Sequence, residues 1–271
     1  MRALFKVGFS LLVLAFLLIG LSYSMLRAQG VSGAPNAEGR AIASETRGIG
    51  KGIVSIELSG PIDMTLRQGQ PASLVVRGEQ RLLGNIETVE DGDGTLHIGT
   101  KGMLLHHRQP LQVVLVLPSL ESLTIQGSGD STINGFSGEK VDVQLNGSGN
   151  VKFNGRYKDI TAAVHGSGEL EMNGGSNSRT VDVALVGSGQ MTVVGQCKEF
   201  KVEQTGSGDL DAQHLSADEA AVELRGSGTS IISASKVAAV NLHGSGDVSV
   251  YGSPNERNIT KTGSGEVTFK Q

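Results

Sequence analysis

The tripeptide Gly-Ser-Gly recurs eight times between residues 127 and 265 of this 271-residue chain. The copies begin at residues 127, 147, 166, 187, 206, 226, 244 and 263, so their spacing is nearly constant. A catalytic loop occurs once in a domain, whereas a tripeptide repeated at a short, fixed period is typical of a solenoid.

Apolar residues alternate with polar or small residues on both sides of each tripeptide. They fall mostly two and four positions before the first Gly, and four and six positions after it. Such alternation is typical of half-buried strands. The variable segments between strands are too short for the helical crossover that parallel strands otherwise need. The sequence therefore predicts an all-β fold, a right-handed parallel β-helix (solenoid) with about 19–20 residues per coil.

The tripeptide itself is predicted to be a corner of each coil. Glycine suits a corner because it tolerates positive φ and close approach of backbones. If the coils stack in register, the central serines form one column, and we expect their hydroxyls to hydrogen-bond along it or to corner amides. The predicted structural corner residues are Ser128, Ser148, Ser167, Ser188, Ser207, Ser227, Ser245 and Ser264.

The N-terminal region divides by composition. Residues 1–28 are predicted to be a signal peptide, because Arg2 and Lys6 precede the apolar run at 7–21 and small residues follow it. Residues 29–47 are small and polar and are predicted to form a flexible tether. The remainder is predicted to be one β-helix, with irregular N-terminal coils and a cap over 48–120 and GSG-cornered coils over 121–271.

The charge of the chain argues against a nucleic-acid partner, and its cysteine content excludes stabilisation by an internal disulfide. Residues 1–28 hold three basic and no acidic side chains, so the remainder carries 20 basic and 27 acidic ones, a net charge of about −7. No basic run appears along the sequence, which argues against a nucleic-acid partner. Cys197 is the only cysteine, so the chain forms no internal disulfide, and we interpret the residue as a small buried one.

Three segments that precede or overlap the repeat resemble a known family. These are GIVSIELSGPIDMTLRQG (52–69), TLHIG (95–99) and LQVVLVLPSLESLTIQGSGD (111–130). Together with the train of GSG corners, they are similar to the bacterial head GIN domain, whose family is named a putative auto-transporter adhesin head domain. The resemblance covers roughly residues 48–269. It implies an exported, right-handed β-helical protein, and the family brings no catalytic residues to carry over.

No cluster of residues predicts catalysis, a cofactor or a metal. The residues after the tripeptides, from Asp130 to Glu266, mostly alternate acidic with neutral side chains, as expected for a solvated edge; a row of weak cation sites is the alternative. His97, His106, His107 and Arg108 are the only histidine-rich group, and we interpret them as polar loop residues. Adjacent histidines in a strand point to opposite faces, so 106 and 107 would chelate poorly.

The sequence thus predicts an exported, non-enzymatic β-helical protein in the periplasm or at the cell surface. The leading hypothesis is an adhesin-like or cell-envelope interaction module that binds an unknown protein or glycan. The alternatives are a periplasmic structural scaffold and, less favoured, a polysaccharide-acting enzyme, which would need acids gathered in one groove. The last coil has no evident cover, so end-to-end self-association is a further prediction.

Overall fold

A computed structural model of the chain describes residues 41–102 and 110–270. The residues from Ile42 onward form one compact unit. The predicted signal peptide, residues 29–40 of the predicted tether, and His106, His107 and Arg108 lie outside the described residues. Within the described part of the chain, no helix has the length and apolar character of a membrane span.

The described residues form nineteen strands and one short helix. The helix, α1, spans Gln80–Leu83 between the fourth and fifth strands. The strands are β1 (Ile42–Arg47), β2 (Ser55–Ser59), β3 (Ile62–Gln68), β4 (Ser73–Glu79), β5 (Ile86–Glu90), β6 (Thr95–Thr100), β7 (Leu111–Leu117), β8 (Ser122–Gly127), β9 (Ser131–Gly147), β10 (Asn150–Gly166), β11 (Glu169–Asn173), β12 (Ser178–Gly187), β13 (Gln190–Gly206), β14 (Asp209–Asp211), β15 (Leu215–Gly226), β16 (Thr229–Gly244), β17 (Asp247–Tyr251), β18 (Glu256–Thr262) and β19 (Glu266–Lys270).

The strands stack as a β-solenoid of about seven turns, which confirms the predicted parallel solenoid. Each coil pairs in parallel with the next, and the first glycines of successive corners are direct partners, as Gly147 is with Gly166 and Gly187 is with Gly206. The register therefore aligns the repeats that the sequence shows. Neighbouring coils are about 4.8 Å apart, the usual strand spacing.

The alternating apolar residues fill the inside of the solenoid. Leu145, Val164 and Leu185, each two positions before a tripeptide, are at most 1% exposed and lie in one column. All the buried apolar residues form a single cluster that extends from Ile53 to Val250. Burial of each such side chain contributes about 1.5–3 kcal/mol, so the core is the main source of stability.

Gln204 is a buried polar member of this column, and its amide is satisfied inside the core. Its side-chain nitrogen donates to the carbonyls of Gly208 and Thr229, and its oxygen accepts from the hydroxyl of Ser230. The side chains of Gln204 and Ser230 are both buried, at 1% and 0% exposure. A buried polar group costs little when its hydrogen bonds are made, so the column continues through this coil.

The N-terminal end is closed by antiparallel strands, in an order that differs from the sequence. The coil β6–β7 lies outside the earlier coil β2–β3, because β2 pairs with both β6 and β8, and β3 with both β7 and β9. Strands β4 and β5 then cover β7 and β6 in antiparallel fashion. Within the described residues, the parallel strands at this end are therefore covered, and the outermost edges belong to the antiparallel strands β1 and β5.

The last residues of the predicted tether are ordered, so that prediction is wrong for residues 42–47. These residues form β1, which pairs antiparallel with β4. Arg47 fixes the strand by donating to the carbonyls of Leu83 and Ile86 at 2.9 and 2.6 Å. The strand has no buried side chain, so it is held by backbone pairing. For the same reason its sequence has no alternating hydrophobic pattern from which a strand could be predicted.

The C-terminal end has open strand edges and charged side chains beside them. Within the described residues, β18 pairs only with β16 and β19 only with β17, so one edge of each stays open. Lys261 takes the core position that Leu242 holds one coil earlier, and its amine bonds the carbonyl of Gly265 at 2.8 Å. The guanidinium of Arg257 lies 4.3 Å from the centre of the Phe269 ring. Inward charges on an edge oppose pairing with another chain.

Each corner depends on two glycines for different reasons. Gly187 has φ +119°, and a Cβ there would lie 2.4 Å from the carbonyl oxygen of Gly166 in the preceding coil. At Gly189 only the close approach matters, because a Cβ would lie 2.5 Å from the carbonyl of Gly168. Any side chain at either position would force the coils apart.

Replacing a corner glycine is expected to destabilise the solenoid far more than replacing a corner serine. We expect Gly187→Ala to lower the free energy of unfolding by about 2–4 kcal/mol, because left-handed strain and overpacking each cost about 1–3 kcal/mol. Ser207→Ala, at an exposed position, should change it by less than about 0.5 kcal/mol. Guanidinium denaturation followed by circular dichroism measures both, and equal effects would contradict the corner argument.

End-to-end association through the last coil stays a prediction, and Lys261 offers a way to test it. We expect Lys261→Leu to increase association, because the substitution removes a charge from an open rung and extends the apolar column. Lys201→Leu, exposed in the middle of the solenoid, is the matched control. Sedimentation velocity over a concentration series measures the effect. Identical profiles for the two variants would refute the idea that the charge of Lys261 opposes association through the last coil.

Candidate functional site

The eight corner serines occupy one exposed column along the solenoid. The backbone N–H groups of Ser167, Ser188 and Ser207 donate to the first-glycine carbonyl of the preceding coil, at 2.9–3.0 Å. Among the described residues, the only bond between corner hydroxyls joins Ser167 and Ser188, at 3.2 Å. The backbone, more than the hydroxyls, therefore holds the corner together; a structural role for the hydroxyls remains a prediction.

The residues after the tripeptides bond with neighbouring coils. The side-chain amide of Asn150 donates to the carboxylate of Asp130 at 2.9 Å, and the backbone N–H of Glu266 donates to Asp247 at 3.0 Å. Among the described residues, no group of three or more histidine, cysteine or acidic side chains is arranged to hold a metal ion. The carboxylates of Asp130 and Asp247 thus have amide partners in the adjacent coil.

His97 lies at a small cavity of about 270 Å³ near the N-terminal end, beside Glu57 and Glu87. Its Nδ1 is 2.9 Å from the Glu57 carboxylate and its Nε2 is 2.8 Å from the Asp91 carboxylate. The bond to Asp91 raises the pKa of His97 above its ordinary value, and Glu57 adds to the effect. His97, in β6, thus links the loop after β5, through Asp91, to β2, through Glu57, and we call this arrangement the His97 clip. Both ring nitrogens are engaged in these two contacts.

Successive coils turn a second time, at Gly135, Gly155, Gly175 and Gly195, and we call this turn the second corner. A much larger groove, of about 1830 Å³, runs over it. Its walls come from six stacked coils, so it extends over five steps of about 4.8 Å, roughly 24 Å. We call it the second-corner groove. It is lined by residues 135–139, 154–158, 173–179 and 195–198, with Gln68, Ser216 and Asp218.

The second corner is irregular, unlike the GSG corner. The pairing of β9 with β10 shifts register there, because Asn154 pairs with Asn134 while Gly155 pairs with Phe136. Gly135, left out of the pairing, has φ +90°. A second shift occurs after Ala217, in the pairing of β15 with β16. Such bulges bend strands and re-aim side chains, which is why they recur near binding sites.

Tyr157, which lines the groove, belongs to a buried aromatic pair with Phe153. The rings of Phe153 and Tyr157 are 6.1 Å apart at a tilt of 39°, and the Tyr157 hydroxyl donates to the carbonyl of Leu120 at 2.8 Å. Gly155 makes room for both rings, since a Cβ there would lie 2.7 Å from the Phe153 ring and 3.0 Å from the Tyr157 ring. Burial raises the pKa of Tyr157, so its phenol stays protonated.

Charged side chains form an exposed row along the groove. Residue by residue across the coils, the register places Glu139, Lys158, Arg179, Lys198 and Asp218 opposite one another. Three cations thus follow one another on adjacent strands, with a carboxylate at each end. We call Lys158, Arg179 and Lys198 the basic row.

Amide side chains form a second row beside it. Asn154 pairs in register with Asn134 and Asn173, and its amide nitrogen donates to Asn134 at 3.0 Å. The oxygen of Asn173 accepts from the backbone N–H of Gly175 at 3.1 Å. The groove therefore offers neutral hydrogen-bonding groups as well as positive charge.

Cys197 lies under the groove and is not a nucleophile. The thiol is buried, and burial raises its pKa to about 12, so the reactive thiolate is absent at neutral pH. The residue is therefore the small buried one that the sequence predicted.

Sequence reasoning missed the basic row because its spacing is uneven. Lys158 and Lys198 stand at the same offset from the first glycine of the preceding corner, but Arg179 stands two positions further along. All three lie in the variable segments, where the repeat gives no register. Three isolated basic residues at unequal offsets carry no periodic signal, and only strand pairing brings them together.

The chain matches the sequence profile of one protein family, described as "Putative auto-transporter adhesin, head GIN domain", over residues 54–184 and 172–254. A search of curated protein sequences gave no match. Similar folds are found among solved structures. A putative adhesin from Parabacteroides distasonis ATCC 8503 is 21% identical, with a TM-score of 0.79 over 86% of this chain and 98% of that one.

Two further structures share the fold. A putative adhesin from Parabacteroides merdae ATCC 43184 is 17% identical, with a TM-score of 0.77 over 87% of this chain and 98% of that one. A putative lipid binding protein from Parabacteroides distasonis ATCC 8503 is 22% identical, with a TM-score of 0.74 over 84% of this chain and 97% of that one. At these identities the likeness establishes the fold alone.

The His97 clip predicts a pH dependence at the N-terminal end. The pKa of His97 is raised in the folded state, so its stabilising contribution is complete below the unfolded value of about 6.5 and is lost as pH rises through the folded value. We expect NMR titration to give a pKa above 6.5. We expect Asp91→Asn to lower that pKa more than Glu57→Gln does. A wild-type pKa at or below the ordinary value would contradict the clip.

Proposed function

Since the chain belongs to the head GIN domain family of putative auto-transporter adhesins, we propose that it is an exported, non-enzymatic binding module of the cell surface or envelope. The second-corner groove is its binding surface. The observation that carries this proposal is a polar and charged groove across six stacked coils.

Export is supported by the sequence of residues 1–28, which has the basic start, apolar run and small-residue end of a signal peptide. The absence of disulfides is compatible with export because the solenoid closes its core with apolar columns and backbone ladders. The family's name also points to the outside of the cell.

The chemistry of the groove supports binding over catalysis. A glycoside hydrolase needs a pair of carboxyl groups facing one bond. In the groove, Glu139 and Asp218 stand at opposite ends of a charged row, three cations apart, and each is bound to a lysine. The groove lining also contains no histidine among the described residues, and its one thiol is protonated.

A polar ligand fits the groove better than an acyl chain. One structural relative is named a putative lipid binding protein. In this chain, however, the groove is lined by glycine, serine, asparagine and charged residues, and its aromatic side chains are buried beneath. A hydrocarbon chain would gain little from such a lining, because it would bury polar groups without replacing their hydrogen bonds.

Surface display is tested by protease treatment of intact cells of the producing organism. We expect loss of this protein while a periplasmic control protein survives, because a surface binding module is exposed to the protease. Protection until the outer membrane is opened would instead favour the periplasmic scaffold. The matched control is the same treatment after permeabilisation, which shows that the folded solenoid can be cleaved at all.

A further inference from the structure

The basic row has an energetic cost because it places three cations on successive coils. Like charges directly opposite on adjacent strands are destabilising. Most of the residues after the tripeptides avoid this by alternating acidic and neutral side chains, as Asp130, Asn150 and Glu169 do. The like-charge pairs that occur elsewhere, such as Glu199 with Glu219, join only two coils. Lys158, Arg179 and Lys198 break that rule on three successive coils.

The protein itself neutralises only part of this charge. Lys158 pairs with Glu139 at 2.7 Å, and Arg179 binds the Asp159 carboxylate with two nitrogens, which holds the pKa of Asp159 below its usual range. Within the described residues, Lys198 makes no ion pair or side-chain hydrogen bond. Asp218, which faces Lys198, is already bound to a lysine of the next coil at 2.9 Å. Arg156, on the same wall of the groove, also lacks a carboxylate partner among the described residues.

We propose that the second-corner groove binds an extended acidic polysaccharide, a chain of sugars carrying carboxylate or sulfate groups. This inference rests on the proposed function and names its ligand class. The anionic groups lie along the basic row, where they relieve the repulsion among its cations and supply partners for Lys198 and Arg156. The sugar hydroxyls bond to the asparagine row and to the serine and backbone groups of the glycine-rich wall.

The narrowness of the positive charge favours a single polymer chain over a broad anionic surface. The chain beyond residue 28 carries a net charge of about −7, so its overall charge opposes approach to a broad anionic surface such as an acidic membrane or a nucleic-acid duplex. Single-stranded nucleic acid usually stacks its bases on exposed aromatic rings. The rings of Phe136 and Tyr157 are buried in this groove, at 1% and 3% exposure.

The test measures binding of the purified protein to polygalacturonate, with neutral dextran and phosphatidylglycerol vesicles as comparison probes. We expect binding to polygalacturonate alone, weakening as salt rises from about 0.05 to about 0.5 M because exposed charges are screened (about 10 Å screening length at 0.1 M). The triple variant Lys158→Gln/Arg179→Gln/Lys198→Gln is expected to lose about tenfold in affinity, since each exposed ion pair contributes modestly.

A matched control makes the same charge change away from the groove. Lys152→Gln/Lys201→Gln/Arg225→Gln removes three exposed cations and should change affinity less than about twofold. The groove variant should keep a melting temperature close to that of the wild type, because the repulsion that it relieves offsets the exposed ion pairs that it loses. That readout separates lost binding from lost folding.

The outcomes distinguish the ligand class from the function. Dextran binding that depends on the groove would overturn the acidic class while leaving the binding module intact. Groove-dependent binding to vesicles would overturn it in favour of a membrane surface. No binding of polygalacturonate, or an equal loss in both triple variants, would also overturn the inference; the proposed function is judged separately by surface exposure.

Discussion

The whole architecture depends on how closely one coil can approach the next at the Gly-Ser-Gly corner. There the carbonyl oxygen of one glycine accepts bonds from the amides of the following coil, as Gly147 does from Ser167 and Gly168. A methyl group at the next first glycine would enter that contact. The corner therefore fixes the register, and the register in turn stacks the apolar columns and closes the core.

This constraint explains why the solenoid could be predicted from the sequence. Because the backbones approach closely at the corner, glycine is required there once in every coil. Because the strands on either side have one buried face, apolar and polar residues alternate along them. Both are local signals that a single chain displays. Leu145, Val164 and Leu185 could be assigned to one column from their offsets alone, and the pairing places them there.

Other features obey no such local rule. Strand β1 buries none of its side chains, so composition made it indistinguishable from a tether. The coil β6–β7 lies outside β2–β3 because β8 and β9 occupy the other edges of β2 and β3. This arrangement depends on all the strands at that end of the stack and not on any one segment. The basic row depends on strand pairing around two shifts of register at the second corner. The candidate site therefore lies where the repeat constrains the sequence least.

The inverted order of the first coils also governs when this part of the molecule can fold. Strand β2 is complete only between β6 and β8, and β3 only between β7 and β9. A chain that emerges from its N-terminus during synthesis cannot pair β3 on both edges before Asn134 has appeared. Strands β2 and β3 must wait for partners that lie far downstream. Topology thus delays completion of the leading segment, and the later coils, each paired with its immediate predecessor, can then add one after another.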